Sequence, residues 1–364
     1  GNFSTKNLAI PQEEMLNLGF DELKTSMTNL RKILPNFNPP PNFDKLGNIY
    51  FKGRYDGFIS DFVAFGELKT NQGLIDLDMQ LNTNEGKENA KYRGKMVLKQ
   101  FDLAHWTDDN RFGKLNMVTE VKEGKGLTLA SLKSKLDANV FNFEYNGYNY
   151  KNIIFKGELN KNLINGDASI KDENIDLRFS GVIDYIKTIP EYKFKANINK
   201  LDLFKLNLTK DSLSIAGEFG LDFKFKNLSN FTGNAKANNV ELKVNALNKF
   251  TLKSLELNSY VNNTNHKHID IKSDVFQGNI DGQFDFESLP YLVYHFIKKN
   301  NPTLVAKTNV KPPKYALYNN NFKAKIHVEQ SKNLFEVLKW DIKEIKDLKA
   351  VMSFENTDTS RINF

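Results

Sequence analysis

The chain has 364 residues, 40% of them hydrophobic and 26% charged, enough for a large buried core; having no cysteine, it excludes disulfides, thiolate metal sites and cysteine catalysis. The formal charge of +7 does not by itself point to nucleic acid, because six of the 51 basic residues are arginines and the lysines alternate along the chain with apolar residues. No stretch approaches the roughly 18 to 20 apolar residues that span a bilayer, and Gly1 to Ile10 lacks the basic start and apolar core of a signal peptide.

From the N-terminus, residues 1–45 read as an amphipathic helix followed by a proline-rich connector. Pro11 suits a first helical turn, Glu13 and Glu14 suit a helix start, and Leu16, Phe20, Leu23, Met27, Leu30 and Leu34 follow at spacings of three and four. The spacing predicts a helix over 11–34, stopped by Pro35 and by the stiff run Asn38, Pro39, Pro40, Pro41.

Residues 46–287 alternate apolar and polar side chains with a period of two, the mark of antiparallel strands with one solvated face. Ile75, Leu77, Met79 and Leu81 alternate with Asp76, Asp78 and Gln80, and Ile175, Leu177, Phe179, Gly181 and Ile183 with Asp176, Arg178 and Ser180. Tyr192, Phe194, Ala196 and Ile198 follow the same rule. The longest run is Leu213, Ile215, Gly217, Phe219, Leu221, Phe223 and Phe225, and Ile280, Gly282, Phe284 and Phe286 repeat it. At about 3.3 Å per residue the strand from Leu213 to Phe225 is roughly 40 Å long.

A second helix is predicted near 288–300, with Ser288 as its cap and Leu289, Leu292, Val293, Phe296 and Ile297 on one face, so 288–313 reads as a helical insertion and loop. Strands resume over 314–364, where Phe322, Ala324, Ile326 and Val328 alternate with lysines and His327. The start at Gly1 and the end at Phe364 lead to the expectation that this is a piece of a longer protein.

The strands also repeat at about 100 residues. Asn48-Ile49-Tyr50-Phe51-Lys52-Gly53 returns as Asn152-Ile153-Ile154-Phe155-Lys156-Gly157, Phe101-Asp102-Leu103 as Leu201-Asp202-Leu203, and Ile170 to Gly181 as Ile271 to Gly282. Units of this kind share a continuous apolar face, as in solenoids. The alternation leaves open a sandwich or barrel, in which a second sheet covers that face. Interleaved Gly181, Ala196, Gly217 and Gly282 and the absence of a division into two sheets favour one long, strongly curved antiparallel sheet. The expected fold is therefore all-β, a trough-like repeating β-groove with two amphipathic helices.

Enzyme signals are weak, and no residue stands out as a catalyst. His266 and His268 form the only close histidine pair, without a carboxylate cluster beside them in sequence. Asp108 and Asp109 read as a turn, and Gly124-Lys125-Gly126 lacks the spacing of a phosphate loop. No cofactor and no metal site are expected.

The segment Leu46 to Leu77, with Gly47, Phe51-Lys52-Gly53, Gly57-Phe58, Ser60-Asp61-Phe62-Val63-Ala64, Gly66 and Gly73, resembles a stretch of Bacteroidota TamB proteins of the AsmA-like superfamily. Gly278-Asn279-Ile280-Asp281-Gly282, Phe286-Glu287-Ser288-Leu289-Pro290 and Asn321-Phe322 follow the same pattern. The resemblance implies a periplasmic protein, anchored in the inner membrane through a segment absent from this chain, that reaches toward an outer-membrane barrel of the TamA or BamA type. It further implies that phospholipid moves between the membranes in support of outer-membrane biogenesis, with acyl chains in the groove. Measured against that resemblance, this chain is expected to be an internal piece that includes neither the N-terminal anchor nor the C-terminal domain of such proteins.

On that resemblance the acyl path would be lined by Ile75, Leu77, Met79, Ile175, Leu177, Phe179, Phe194, Ile198, Leu213, Ile215, Phe219, Leu221, Phe223, Phe225, Ile280, Phe284 and Phe286. Leu16, Phe20, Leu23, Met27 and Leu30 of the first helix would plug or cap it. About 20 strands spaced at ~4.8 Å would build a groove on the order of 100 Å. A second reading is a scaffold or chaperone that takes outer-membrane protein strands by edge pairing. A carbohydrate-handling solenoid fits less well, since the aromatics take the apolar side of the alternation.

Overall fold

A computed structural model describes residues 3–4, 14–33, 39–128, 130–227, 230–244, 248–262, 266–285, 298–299, 320–330, 346–354 and 360–363. The described residues are all-β, as the alternation requires, and divide into two compact units, Gly1–Val182 with Asp202–Lys210, and Ile183–Leu201 with Asp211–Phe364.

In the first unit β1 (Phe3–Ser4), β2 (Leu16–Ser26), β3 (Asn48–Phe58), β4 (Asp61–Thr70), β5 (Gly73–Asn82), β6 (Lys91–Asp102), β7 (Phe112–Lys125), β8 (Lys133–Tyr145), β9 (Tyr148–Asn160) and β10 (Leu163–Lys171) each pair antiparallel with the next. β11 (Ile175–Asp184) and β12 (Glu191–Asp202) follow in the chain. In the second unit β13 (Ser214–Asn227), β14 (Asn230–Val244), β15 (Asn248–Val261), β16 (Lys267–Ser273), β17 (Phe276–Gln283), β18 (Asn321–Gln330), β19 (Lys346–Phe354) and β20 (Ser360–Asn363) do the same. Both runs are open meanders and neither closes into a barrel.

The repeat seen in the sequence reappears in the order of elements. β3, β9 and β15 begin at 48, 148 and 248, and β5, β11 and β17 at 73, 175 and 276, so the plan of β3 to β8 is followed again from β9. The equivalent aspartates do equivalent work: Asp102 Oδ1 accepts the His105 N–H at 3.0 Å, and Asp202 Oδ1 accepts the Lys205 N–H at 3.1 Å. Their own N–H groups donate to Gln72 O at 2.8 Å and Asn174 O at 2.9 Å, which fastens the ends of β6 and β12 to the preceding turns.

The Phe-Lys-Gly motif explains itself through its glycine. Gly53 faces Gly66 across β3 and β4, and Gly157 faces Gly166 across β9 and β10. Gly53 and Gly157 both have φ of +159°, a conformation that side chains make costly. A Cβ on Gly53 would lie 2.2 Å from Phe65 O and 2.7 Å from Gly66 Cα. Only paired glycines let the two backbones pass this closely.

The helix predicted over 11–34 is a correction. Residues 11–13 and 34 lie outside the described residues, Leu16 to Ser26 form strand β2, and only α1 (Met27–Ile33) is helical. A β-bulge is the physical reason. Leu16, Leu18 and Phe20 alternate, Asp21 and Glu22 interrupt the register, and Leu23 resumes on the same face opposite Phe51. That interruption turns a period of two into apparent spacings of three and four. The helix predicted near 288–300 lies outside the described residues except for 298 and 299, which are helical, and the loop at 300–313 lies wholly outside them.

Candidate functional site

Pairing register converts the alternation into rows that run across the strands. In the first unit Phe51, Leu68, Ile75, Leu98, Met117, Val140, Ile153 and Ile170 stand side by side on β3 through β10, without one polar member. The next row is Gly53, Gly66, Leu77, Met96, Thr119, Ala138, Phe155 and Ala168, and beyond it come Tyr55, Ala64, Met79, Gly94, Val121, Leu136, Gly157 and Gly166. In the second unit Leu221, Ala235, Leu257, Ile271, Gly278, Ile326 and Ala350 form one row on β13 through β19. Phe223, Gly233, Ser259, Ile269, Ile280, Ala324 and Met352 form its neighbour.

The few polar residues in these rows turn their hydrogen bonds back into the protein. Thr119 Oγ1 donates to Asp137 O at 3.1 Å, Ser259 Oγ donates to Phe231 O at 2.8 Å, and the Tyr55 hydroxyl donates to Phe58 O at 2.8 Å. Burial pushes the Tyr55 phenol well above its ordinary pKa. These rows therefore behave as apolar along their length.

The opposite face is charged. Arg54, Phe65, Asp78, Lys95, Glu120, Asp137, Lys156 and Asp167 form one of its rows. Ion pairs such as Lys122 with Asp137 at 2.8 Å and Lys99 with Asp76 at 2.6 Å cross the strands there. Lysine paired with carboxylate along solvated strands accounts for much of the basic composition.

Ile75, Leu77 and Met79 occupy three successive rows of the first unit, and Leu221, Phe223 and Ile280 lie in the two rows of the second. Half-buried Ile215, Phe219 and Phe225 face Leu242, Ala237 and Phe231. Leu177 and Phe179 on β11, Phe194 and Ile198 on β12, and Leu213 just before β13 are likewise half-buried, whereas Ile175 and Phe284 are buried. Phe286 lies outside the described residues. The expected lining omitted Phe51, Leu68, Leu98, Met117, Val140 and Ile153, although each sits at an alternating position. Hairpin register counted from the Gly53 and Gly66 pair reaches Phe51 and Leu68, whereas Met117 and Val140 lie beyond bulges in the β6–β7 and β7–β8 pairings that the sequence does not mark.

The expected plug divides in two. Leu23, Phe20 and Leu18 face Phe51, Gly53 and Tyr55, so β2 extends the three rows by a strand instead of filling them. Met27 and Leu30 of α1 do cover apolar surface, packing with Phe43 and Leu46 of the 3-10 turn Pro41–Leu46 and with Leu103 and Trp106 of α2 (Leu103–Thr107). Beneath them lie Ile49, Leu68, Ile75, Leu98, Phe101 and Leu115. Lys45 latches this cap, donating to Trp106 O at 3.1 Å and pairing with Asp108 at 2.6 Å. Leu77 and Met79, one and two rows further on, are half-buried and outside that packed cluster.

His266 and His268 have a carboxylate partner that their sequence neighbourhood hides. Asp281 on β17 faces His268 and receives His268 Nδ1 at 2.8 Å and His266 Nε2 at 2.6 Å. Among the described residues no group of His, Asp or Glu has the arrangement of a metal site. Asp108 is the left-handed C-cap of α2, and Asp109 is held by Arg111, which brings its carboxyl down to about 2.

Hydrogen bonds from His268 first, then His266, hold the Asp281 carboxyl below its ordinary value of 3.8. A depressed native pKa contributes stability that is present above 3.8 and is lost as pH falls through the native value. With Asp281 48% exposed, that contribution is at most about 1 kcal/mol. Asp281→Asn is expected to lower the denaturation midpoint at neutral pH, with the gap to the wild type closing as pH drops below 3.8. A gap of constant size from neutral to acid would contradict this.

The two meanders define a class of protein: open antiparallel sheets whose apolar face is organised in rows perpendicular to the strands and backed by a charged face. No family model, curated protein or solved structure matches the chain.

Proposed function

We propose that the chain is part of a periplasmic lipid conduit of the bacterial envelope, carrying phospholipid between inner and outer membranes with acyl chains on the apolar rows. The observation that supports this reading is the continuity of those rows across successive strands, with half-buried Leu77, Met79, Leu221 and Phe223 along them. An acyl chain gains about 0.8 kcal/mol per CH₂ removed from water, so a long chain needs shielding worth more than roughly 10 kcal/mol to cross an aqueous gap. Successive positions along a row, ~4.8 Å apart, are closely similar, which suits passive sliding. On this reading the protein is not an enzyme, and the TamA- or BamA-type barrel implied by the resemblance is its outer-membrane partner.

Native mass spectrometry with lipid extraction tests the proposal. The wild-type chain is expected to carry co-purified phospholipid, and the triple variant Phe219→Asp, Leu221→Asp, Phe223→Asp to lose it while keeping its far-UV circular dichroism. A folded wild-type protein that stays lipid-free, even after incubation with phospholipid vesicles, would overturn it and favour strand capture at a sheet edge.

A further inference from the structure

Among the described residues, one buried charged side chain stands on the apolar face of the second unit. Lys267 opens β16, two residues before Ile269 and on the same side, and is 8% exposed. Its cross-strand neighbours are Val261 on β15 and Gly282 on β17, and Gly282 in turn faces Phe322 and through it Phe354. Gly282 has no side chain, which leaves the lysine room to lie over the sheet. Phe284, Phe322 and Phe354 are buried and form an aromatic bank there, with ring centroids 5.7 Å apart for the first two and 5.0 Å for the last two.

The ammonium group is only partly provided for. It donates one hydrogen bond to Phe284 O at 2.7 Å and stands 5.5 Å from the centre of the Phe284 ring. An ammonium has three N–H donors. Among the described residues no carboxylate pairs with it, and Asp285 acts on it only through its field. Burial pushes its pKa below the ordinary lysine range, against which Asp285 works. A buried cation without a counter-ion in direct contact is costly unless a partner arrives.

We infer that Lys267 anchors the anionic head, phosphate or carboxylate, of an amphiphile whose hydrocarbon chain lies against half-buried Ile280 and Met352 of the adjacent row, beside buried Ile269 and Ala324. This rests on the lipid-conduit reading and deepens it: the rows take any chain, and Lys267 selects amphiphiles with a negative head. The aromatic bank excludes water from the pair, which strengthens a charge-assisted hydrogen bond.

The test compares fluorescent cis-parinaric acid, a carboxylate, with its uncharged methyl ester, on the full chain and on Lys267→Met. Methionine keeps the length and removes the buried charge, so the variant is expected to fold. The wild type should bind the acid about tenfold more tightly than the ester, and Lys267→Met should bind both equally, with ester affinity unchanged. Equal affinities in the wild type, or a preference for the acid that survives in Lys267→Met, would overturn the anchoring role while leaving an apolar binding face. Binding of neither probe by a folded wild type would overturn the conduit reading and the anchor with it. Inorganic phosphate at millimolar concentration should not displace the acid; displacement would mean that the site is for a free anion, and would overturn the inference too.

Discussion

Gly157→Val is expected to abolish cooperative folding of the first unit or to cost about 2 to 6 kcal/mol, the sum of a backbone conformation worth ~1 to 3 kcal/mol and an overpacked contact of similar size. The ideal Cβ would meet Asn165 O at 2.2 Å and Gly166 Cα at 2.7 Å, and both are backbone atoms of the partner strand that no rotamer change can move. With φ at +159°, the valine could not relax without breaking the ladder between β9 and β10. Urea denaturation followed by circular dichroism measures the effect. Gly220→Ala is the matched control, because nothing lies within 4 Å of its added methyl, and its midpoint should move by less than the equivalent of about 0.5 kcal/mol. A stable Gly157→Val protein would show that the close strand approach is dispensable.

Phe101→Ala should cost about 3 to 5 kcal/mol. Phe101 is 5% exposed, and its ring meets Trp106 edge-on at 5.6 Å, while Trp106 meets Phe43 in the same way at 5.4 Å. Truncation leaves a cavity at the sheet end of that aromatic chain, beneath Trp106, and loosens α2 and the 3-10 turn from the sheet together. The chain has two tryptophans, so the measurement belongs in a Trp340→Phe background, where the remaining emission reports Trp106. A red shift before the main unfolding transition is expected. Phe141→Ala, at a residue 53% exposed, should leave stability nearly unchanged. Equal effects at the two positions would argue against the cap as a packed unit.

The strands were legible wherever alternation ran unbroken. The run from Leu213 to Phe225 became β13, Ser214–Asn227, because a solvated sheet face imposes its period directly on the chain. Leu16 to Ser26 was misread because a bulge of acidic residues at Asp21 and Glu22 shifts the phase, and local spacing cannot distinguish a bulged strand from a helix. The candidate site was legible as a face and not as rows, since row membership depends on how neighbouring strands register. Lys267 and the Asp281 partner of the two histidines escaped for the same reason. Each takes its meaning from a residue on another strand: Gly282 opposite Lys267, and His268 opposite Asp281.

The parallel rows of the first unit also govern how the protein tolerates damage. Each strand supplies one residue to each row, so on the proposed conduit reading a single polar replacement at Leu77 blocks one lane at one strand and leaves the neighbouring lane at Met79 open, the Ile75 lane being covered by the cap. Passage then resembles percolation through a narrow lattice, in which isolated defects are bypassed and only adjacent ones sever the path. If the proposed lipid transport holds, single substitutions on this face should therefore be nearly silent for it even where they are measurable for stability, and loss should appear abruptly when neighbouring lanes on one strand are blocked together.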